Sequence, residues 1–82
     1  MLKIWAKIIK NDKIIKNITV DFDTNRISFF ELVKSVCEKL DLETPVLLNK
    51  HYDDLRKFNL CTFTKNDFIE KINFDRLLIE KI

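Results

Sequence analysis

Two cysteines, one histidine and the carboxylates beside that histidine are the residues of this chain whose types could support catalysis or metal binding. A thiol nucleophile needs a base next to it, and His51 is the single histidine available to Cys37 or Cys61. Cys37 falls on the apolar stripe of a helix described below, so a small core residue is its better reading. Cys61 reads as semi-exposed, yet nothing in its spacing pairs it with His51. The set His51, Asp53, Asp54 and Cys61 matches no established ligand spacing. Asp53 and Asp54 are neighbours and would point differently on a helix, so a solvated loop outweighs a metal site. Glycine is absent, which removes the phosphate-cradling loops that need close backbone approach. No catalytic residue, metal or cofactor is expected, and the chain reads as non-enzymatic.

Binding chemistry is easier to find. Residues 1–20 hold five lysines against the single acid Asp12, and the remainder holds ten basic residues against twelve acids, for a net charge of +2. Lys3, Lys7, Lys10, Lys13 and Lys16 could neutralise phosphates while Trp5 stacks a base. That footprint falls short of a dedicated nucleic-acid binder. Lys10 and Lys13 flank a turn, where solvated charge is ordinary, and Lys3 has a partner in Asp21. Weak nucleic-acid binding therefore stands as the alternative to a protein contact.

These residues must be positioned by a small scaffold. The 82 residues are 46% hydrophobic and 34% charged, a globular balance for a single domain spanning 1–82. A chain of this length buries a little over ~60% of its unfolded surface, so one modest core is expected. Lysines interrupt the first ten residues too often for a signal peptide, and no apolar run approaches a membrane span. Two cysteines are too few for a disulfide framework. The expectation is a cytoplasmic protein without a membrane anchor, and the heavy use of Lys, Ile, Asn and Phe suggests a low-GC bacterial source.

Leu2, Ile4, Ala6 and Ile8 alternate, as do Ile18, Val20 and Phe22, which predicts a β-hairpin. A three-residue turn Asn11-Asp12-Lys13 sets Leu2 against Phe22, Ile4 against Val20 and Ala6 against Ile18. The other face then pairs Lys3 with Asp21, Trp5 with Thr19 and Ile9 with Ile15. A two-residue loop exchanges the faces and sets Leu2 against Asp21, so the core selects the first register. Ser28 and Glu31 predict a capping box, with Ile27 and Leu32 as its staple. Phe29, Leu32, Val33, Val36, Cys37 and Leu40 follow one stripe of a helix over about 28–41, which must end before Pro45. Pro45-Val46-Leu47-Leu48 reads as a short strand. Residues 51–58 carry a helical turn that would group Tyr52, Leu55 and Phe58, and residues 60–63 a short extended piece. Thr64 with Asp67 caps one further turn. A last strand over 74–82 turns Leu77 and Ile79 to the core.

This order, ββαβ-turn-β, resembles the ubiquitin-like β-grasp. The resemblance spans the whole chain and implies an α+β fold, with a mixed sheet whose last strand lies parallel to the first and one main helix packed on one face. It implies little about function. The Gly-Gly tail of ubiquitin-like modifiers has no counterpart in Glu80-Lys81-Ile82, and ferredoxin-type members need four cysteines. The residues Lys50-His51, Asp54-Leu55, Phe58, Thr62-Phe63 and Asp67-Phe68-Ile69-Glu70 resemble a pattern in small uncharacterised bacterial proteins that carries no known activity.

One apolar set remains. Trp5, Ile9 and Ile15 fall on the hairpin face away from the helix, and Leu78 and Ile82 fall beside Trp5 and Ile9. Large apolar patches are rare on monomers, and aromatic anchors rimmed by charge characterise interfaces. The set predicts contact with a protein partner or a second copy of the chain, unless residues 60–74 fold back over it.

Overall fold

A computed structural model describes residues 2–23 and 26–82. The first strand, β1, runs Leu2–Lys10 and the second, β2, runs Lys13–Phe22, joined by a two-residue turn. Asn11 and Asp12 both take positive φ, 52° and 63°, as a type I′ hairpin turn requires. Short polar side chains tolerate that conformation where glycine is absent. The expected three-residue loop is thus corrected to two. By itself that turn would impose the register that exchanges the faces. A bulge restores the other one: Lys16 pairs with Ile8 and Ile14 with Ile9, leaving Ile15 as the extra residue. Leu2↔Phe22, Ile4↔Val20 and Ala6↔Ile18 therefore pair as the core alternation demands, and Ile9 faces Ile14 where the sequence suggested Ile15.

Helix α1 spans Phe29–Lys39, and Ser28 Oγ accepts from the Glu31 N–H at 3.1 Å. Leu32, Val33, Val36 and Cys37 are its buried stripe. The helix closes with the Leu42 N–H on the Cys37 carbonyl (2.8 Å) and the Asp41 N–H on Glu38 (3.2 Å). Asp41 takes φ 57° at the position that usually holds glycine in this motif.

Two expectations fail in the middle of the chain. Pro45–Leu48 is not a strand: of its backbone, the Val46 N–H reaches the Asp67 carbonyl (2.7 Å), and Leu48 instead begins a second full helix, α2, over Asn49–Phe58. The "one main helix" is therefore two. Proline lacks a donor for any ladder, and His51 and Leu55, one turn apart on α2, bury at the core. Phe58, expected beside Tyr52 and Leu55, is 70% exposed.

Strand β3 covers Leu60–Thr64, one 3₁₀ turn covers Lys65–Asp67, and β4 covers Arg76–Lys81. The sheet order is β2-β1-β4-β3 and every pair is antiparallel. The last strand does lie beside the first in the middle of the sheet, but it runs opposite to the parallel pair of a β-grasp, so the sheet is antiparallel and not mixed. Leu77 and Ile79 pair with Ile8 and Ala6 on one side and with Phe63 and Cys61 on the other. Both helices and the 68–74 segment contribute to one core on that face, through Leu55, Phe68, Phe74 and the α1 stripe.

Candidate interaction surface

Alternation along β1 and β4 sends Trp5, Lys7, Leu78 and Glu80 to the face opposite the helices. The buried apolar side chains of α1, α2 and residues 68–74 all join the cluster on the other face. Residues 60–74 therefore do not fold over the Trp5 side. Trp5 is half-buried among its strand neighbours and held at both ends. Its Nε1–H donates to Asn17 Oδ1 at 3.2 Å, and Lys7 Nζ sits 3.9 Å from its ring centroid. Lys7 Nζ also lies 3.3 Å from Glu80 Oε1 on the adjacent strand, opposite Trp5. The lysine side chain is only 11% exposed, so its charge is met by a carboxylate and an aromatic face together. The result is an oriented indole with one face clamped.

The structure revises the rest of the expected set. Because β4 is antiparallel to β1, Leu78 stands opposite Lys7, and the Ile82 N–H bonds to the Lys3 carbonyl. Leu78 thus stays on the Trp5 face, diagonal to both Trp5 and Ile9, Ile82 lies just past the strand end beside Lys3, and Glu80 takes the place directly opposite the indole. Ile9 is 6% exposed and offers little to a partner, while Ile82 is exposed at the open end of β4. Ile15, at the bulge, and Ile14 are both about half exposed. Ile14, Asn17 and the Lys7–Glu80 contact escaped the sequence reading. Of these, Asn17 alone carried a usable signal, because the core register sets it opposite Lys7 and diagonal to Trp5.

The five lysines do not make one surface. Lys3 and Lys7 lie on the Trp5 face, with Lys3 opposite Asp21 and Lys7 engaged by Glu80. Lys16 pairs with Ile8 on the helix face, where its Nζ reaches the Leu40 carbonyl at 3.5 Å. Lys10 and Lys13 flank the turn, next to Asp75, whose carboxylate accepts from the Asn11 N–H at 2.8 Å.

The thiol and metal candidates also resolve. Cys37 and Cys61 are free and buried, and desolvation pushes both thiols up to about 12. For Cys61 the nearby Asp54 carboxylate adds to that. Cys61 is thus core, not semi-exposed. His51 is also buried. Its Nδ1 accepts from the Leu48 N–H at 3.0 Å, fastening the start of α2. Its ring packs on Phe63 with centroids 4.2 Å apart, and Nε2 lies 3.3 Å from Asp67 Oδ2 without the geometry of a hydrogen bond. Nδ1 is engaged by Leu48 and Nε2 faces the Asp67 carboxylate, so neither is placed as a base for Cys61. Among the described residues no three His, Cys, Asp or Glu side chains group as a metal site. No described helix is long and apolar enough to cross a membrane.

Among the described residues, two cavities stand out on the helix side of the molecule. One, about 500 Å³, is lined by Asp41, Leu42, Phe68, Glu70 and their neighbours. The other, about 190 Å³, opens between the two helices. Comparison of the chain with protein-family models, with curated proteins and with solved structures finds no match.

Proposed function

We propose that this chain is a non-enzymatic interaction module, which binds a protein partner or a second copy of itself through the sheet face opposite the helices. The observation that carries the reading is the clamped Trp5 on a face that no helix covers among the described residues. A large aromatic whose rotamer is already fixed loses little further entropy on binding. Around it stand Lys3, Asp21, Arg76 and Glu80, charges of both signs. A two-fold pairing of such a face can match each sign against the other. The free buried cysteines support a cytoplasmic setting.

The test is sedimentation velocity over a wide concentration range, with Trp5 emission followed in parallel. The wild-type chain should associate on concentrating, and its emission should shift to the blue. Trp5→Glu should remain monomeric with an unchanged far-UV circular dichroism spectrum. Association of the Trp5→Glu chain at wild-type concentrations overturns the reading.

A further inference from the structure

The smaller cavity has a chemistry of its own. It sits at the open end of the core layer, on the opposite side of the sheet from Trp5. Leu2, Leu32 and Leu55 form its floor, and all three are nearly buried. Phe29 and Tyr52 stand at its wall, edge to face at 5.7 Å. The remaining lining includes two cations, Arg56 and Lys81.

Both cations are exposed and stand where a buried stripe reaches the surface. Leu77, Ile79 and Lys81 alternate along β4, so the side that carries two fully buried aliphatic residues next presents a lysine. On α2, Tyr52, Leu55 and Arg56 share one face by their spacing of three and four. Neither cation makes an ion pair within the described residues. The acid next to Lys81 in sequence, Glu80, points to the other face and is engaged by Lys7. Two unpaired cations thus rim an apolar slot.

The geometry points to a binding site for a small organic carboxylate with a short apolar body. At about 30 Å³ for each water-sized heavy atom, the 190 Å³ slot holds roughly six such atoms, the carbons of a ligand the size of hexanoate, with its two carboxylate oxygens outside at the rim. The apolar body would lie over Leu2, Leu32 and Leu55. The carboxylate would meet Arg56, whose planar fork suits it, and Lys81. This site is independent of the Trp5 face, and the volume fits a free small molecule.

The experiment is an amide NMR titration of the full chain with sodium hexanoate. Acetate serves as the head without the body and 1-hexanol as the body without the head. Hexanoate should shift the Leu32, Leu55 and Lys81 amides saturably, with a Kd of about millimolar order for so small a ligand. Acetate and hexanol should each bind about tenfold more weakly. The double variant Arg56→Gln, Lys81→Gln should lower hexanoate affinity about tenfold and leave hexanol binding unchanged. Both substituted residues are exposed, so the fold should persist, with the urea midpoint as its check. Equal binding of hexanol and hexanoate, shifts that map elsewhere or do not saturate, or unchanged affinity in the double variant would each overturn the proposal.

Discussion

Asp67→Ala should be among the more damaging substitutions of a polar side chain in this molecule, and its cost can be worked from the contacts of one oxygen. Asp67 Oδ2 accepts from the Thr64 N–H at 2.9 Å and from Thr64 Oγ1 at 3.3 Å, and lies 3.3 Å from His51 Nε2. Asp67 is 6% exposed and His51 1% exposed. Removing the carboxylate leaves the Thr64 N–H without its acceptor and strips the buried histidine of its remaining polar neighbour. A hydrogen bond to a charged group contributes about 1.5–3 kcal/mol, and His51 Nε2 makes no hydrogen bond even in the intact pair, so the loss should be about 1.5–3 kcal/mol. A domain of this size has roughly 4–12 kcal/mol in total, so at about 4–8 °C per kcal/mol Tm should fall by roughly 6–24 °C. Urea unfolding followed by circular dichroism should show a lower midpoint at an unchanged slope. Asp67→Asn keeps an acceptor of the same shape and should cost about 1–2 kcal/mol. The pH dependence gives a second reading. Burial pushes the Asp67 carboxyl up, but the Thr64 N–H bond and the His51 ring outweigh it and hold the group below its ordinary value. A carboxylate held low stabilises the fold above the unfolded carboxyl range, near pH ~3.9. That stabilisation fades as pH falls through the folded value. The gap between wild type and Asp67→Asn should therefore be full at neutral pH and close below about pH 4. A loss under about 1 kcal/mol for Asp67→Ala at pH 7, or a gap that widens as pH falls below about 4, would refute this account of the buried pair.

Two further outcomes follow from the backbone and the thiols. Asp12 holds φ 63° and Asp41 φ 57°, a region that costs a non-glycine residue about 1 kcal/mol or more. Either Asp12→Gly or Asp41→Gly should raise stability by about 0.5 kcal/mol once the added freedom of the unfolded chain is subtracted, and a fall in the urea midpoint would contradict the assigned turns. With both thiols pushed up to about 12, about one in ten thousand is ionised at pH 8. Cys37 and Cys61 should therefore resist a disulfide-exchange reagent until urea unfolds the chain. Rapid stoichiometric labelling of the native protein would show that one of them is not buried.

What the sequence could and could not convey follows from the symmetry of each signal. The hairpin register was legible because a slip by one residue moves Leu2, Ile4 and Ala6 out of the core, and that penalty does not depend on how the turn is built. The turn itself was not legible: a three-residue loop and a two-residue loop with a bulge at Ile15 deliver the same core pairs, and differ only near the tip. Helix α1 was legible because its cap at Ser28, its stripe and its stop before Pro45 are directional marks. The direction of β4 had no such mark. An alternation of Leu77 and Ile79 reads the same from either end, so parallel and antiparallel neighbours of β1 satisfy the core equally. The choice between them decides whether Trp5 meets Leu78 or Glu80. With Glu80 opposite Trp5, Lys7 gains a carboxylate within reach, and the apolar patch expected around the indole becomes a clamped aromatic ringed by charge. The surface thus depends on the one feature that a period of two cannot encode, which explains why Trp5 could be placed on this face from sequence while Lys7, Asn17 and Glu80 were not seen to act with it. The same limit applies to the cavity beside Leu55. Lys81 reads as an ordinary strand-end charge until the helices that wall the slot are in place, and α2 was the element for which the sequence offered the weakest pattern.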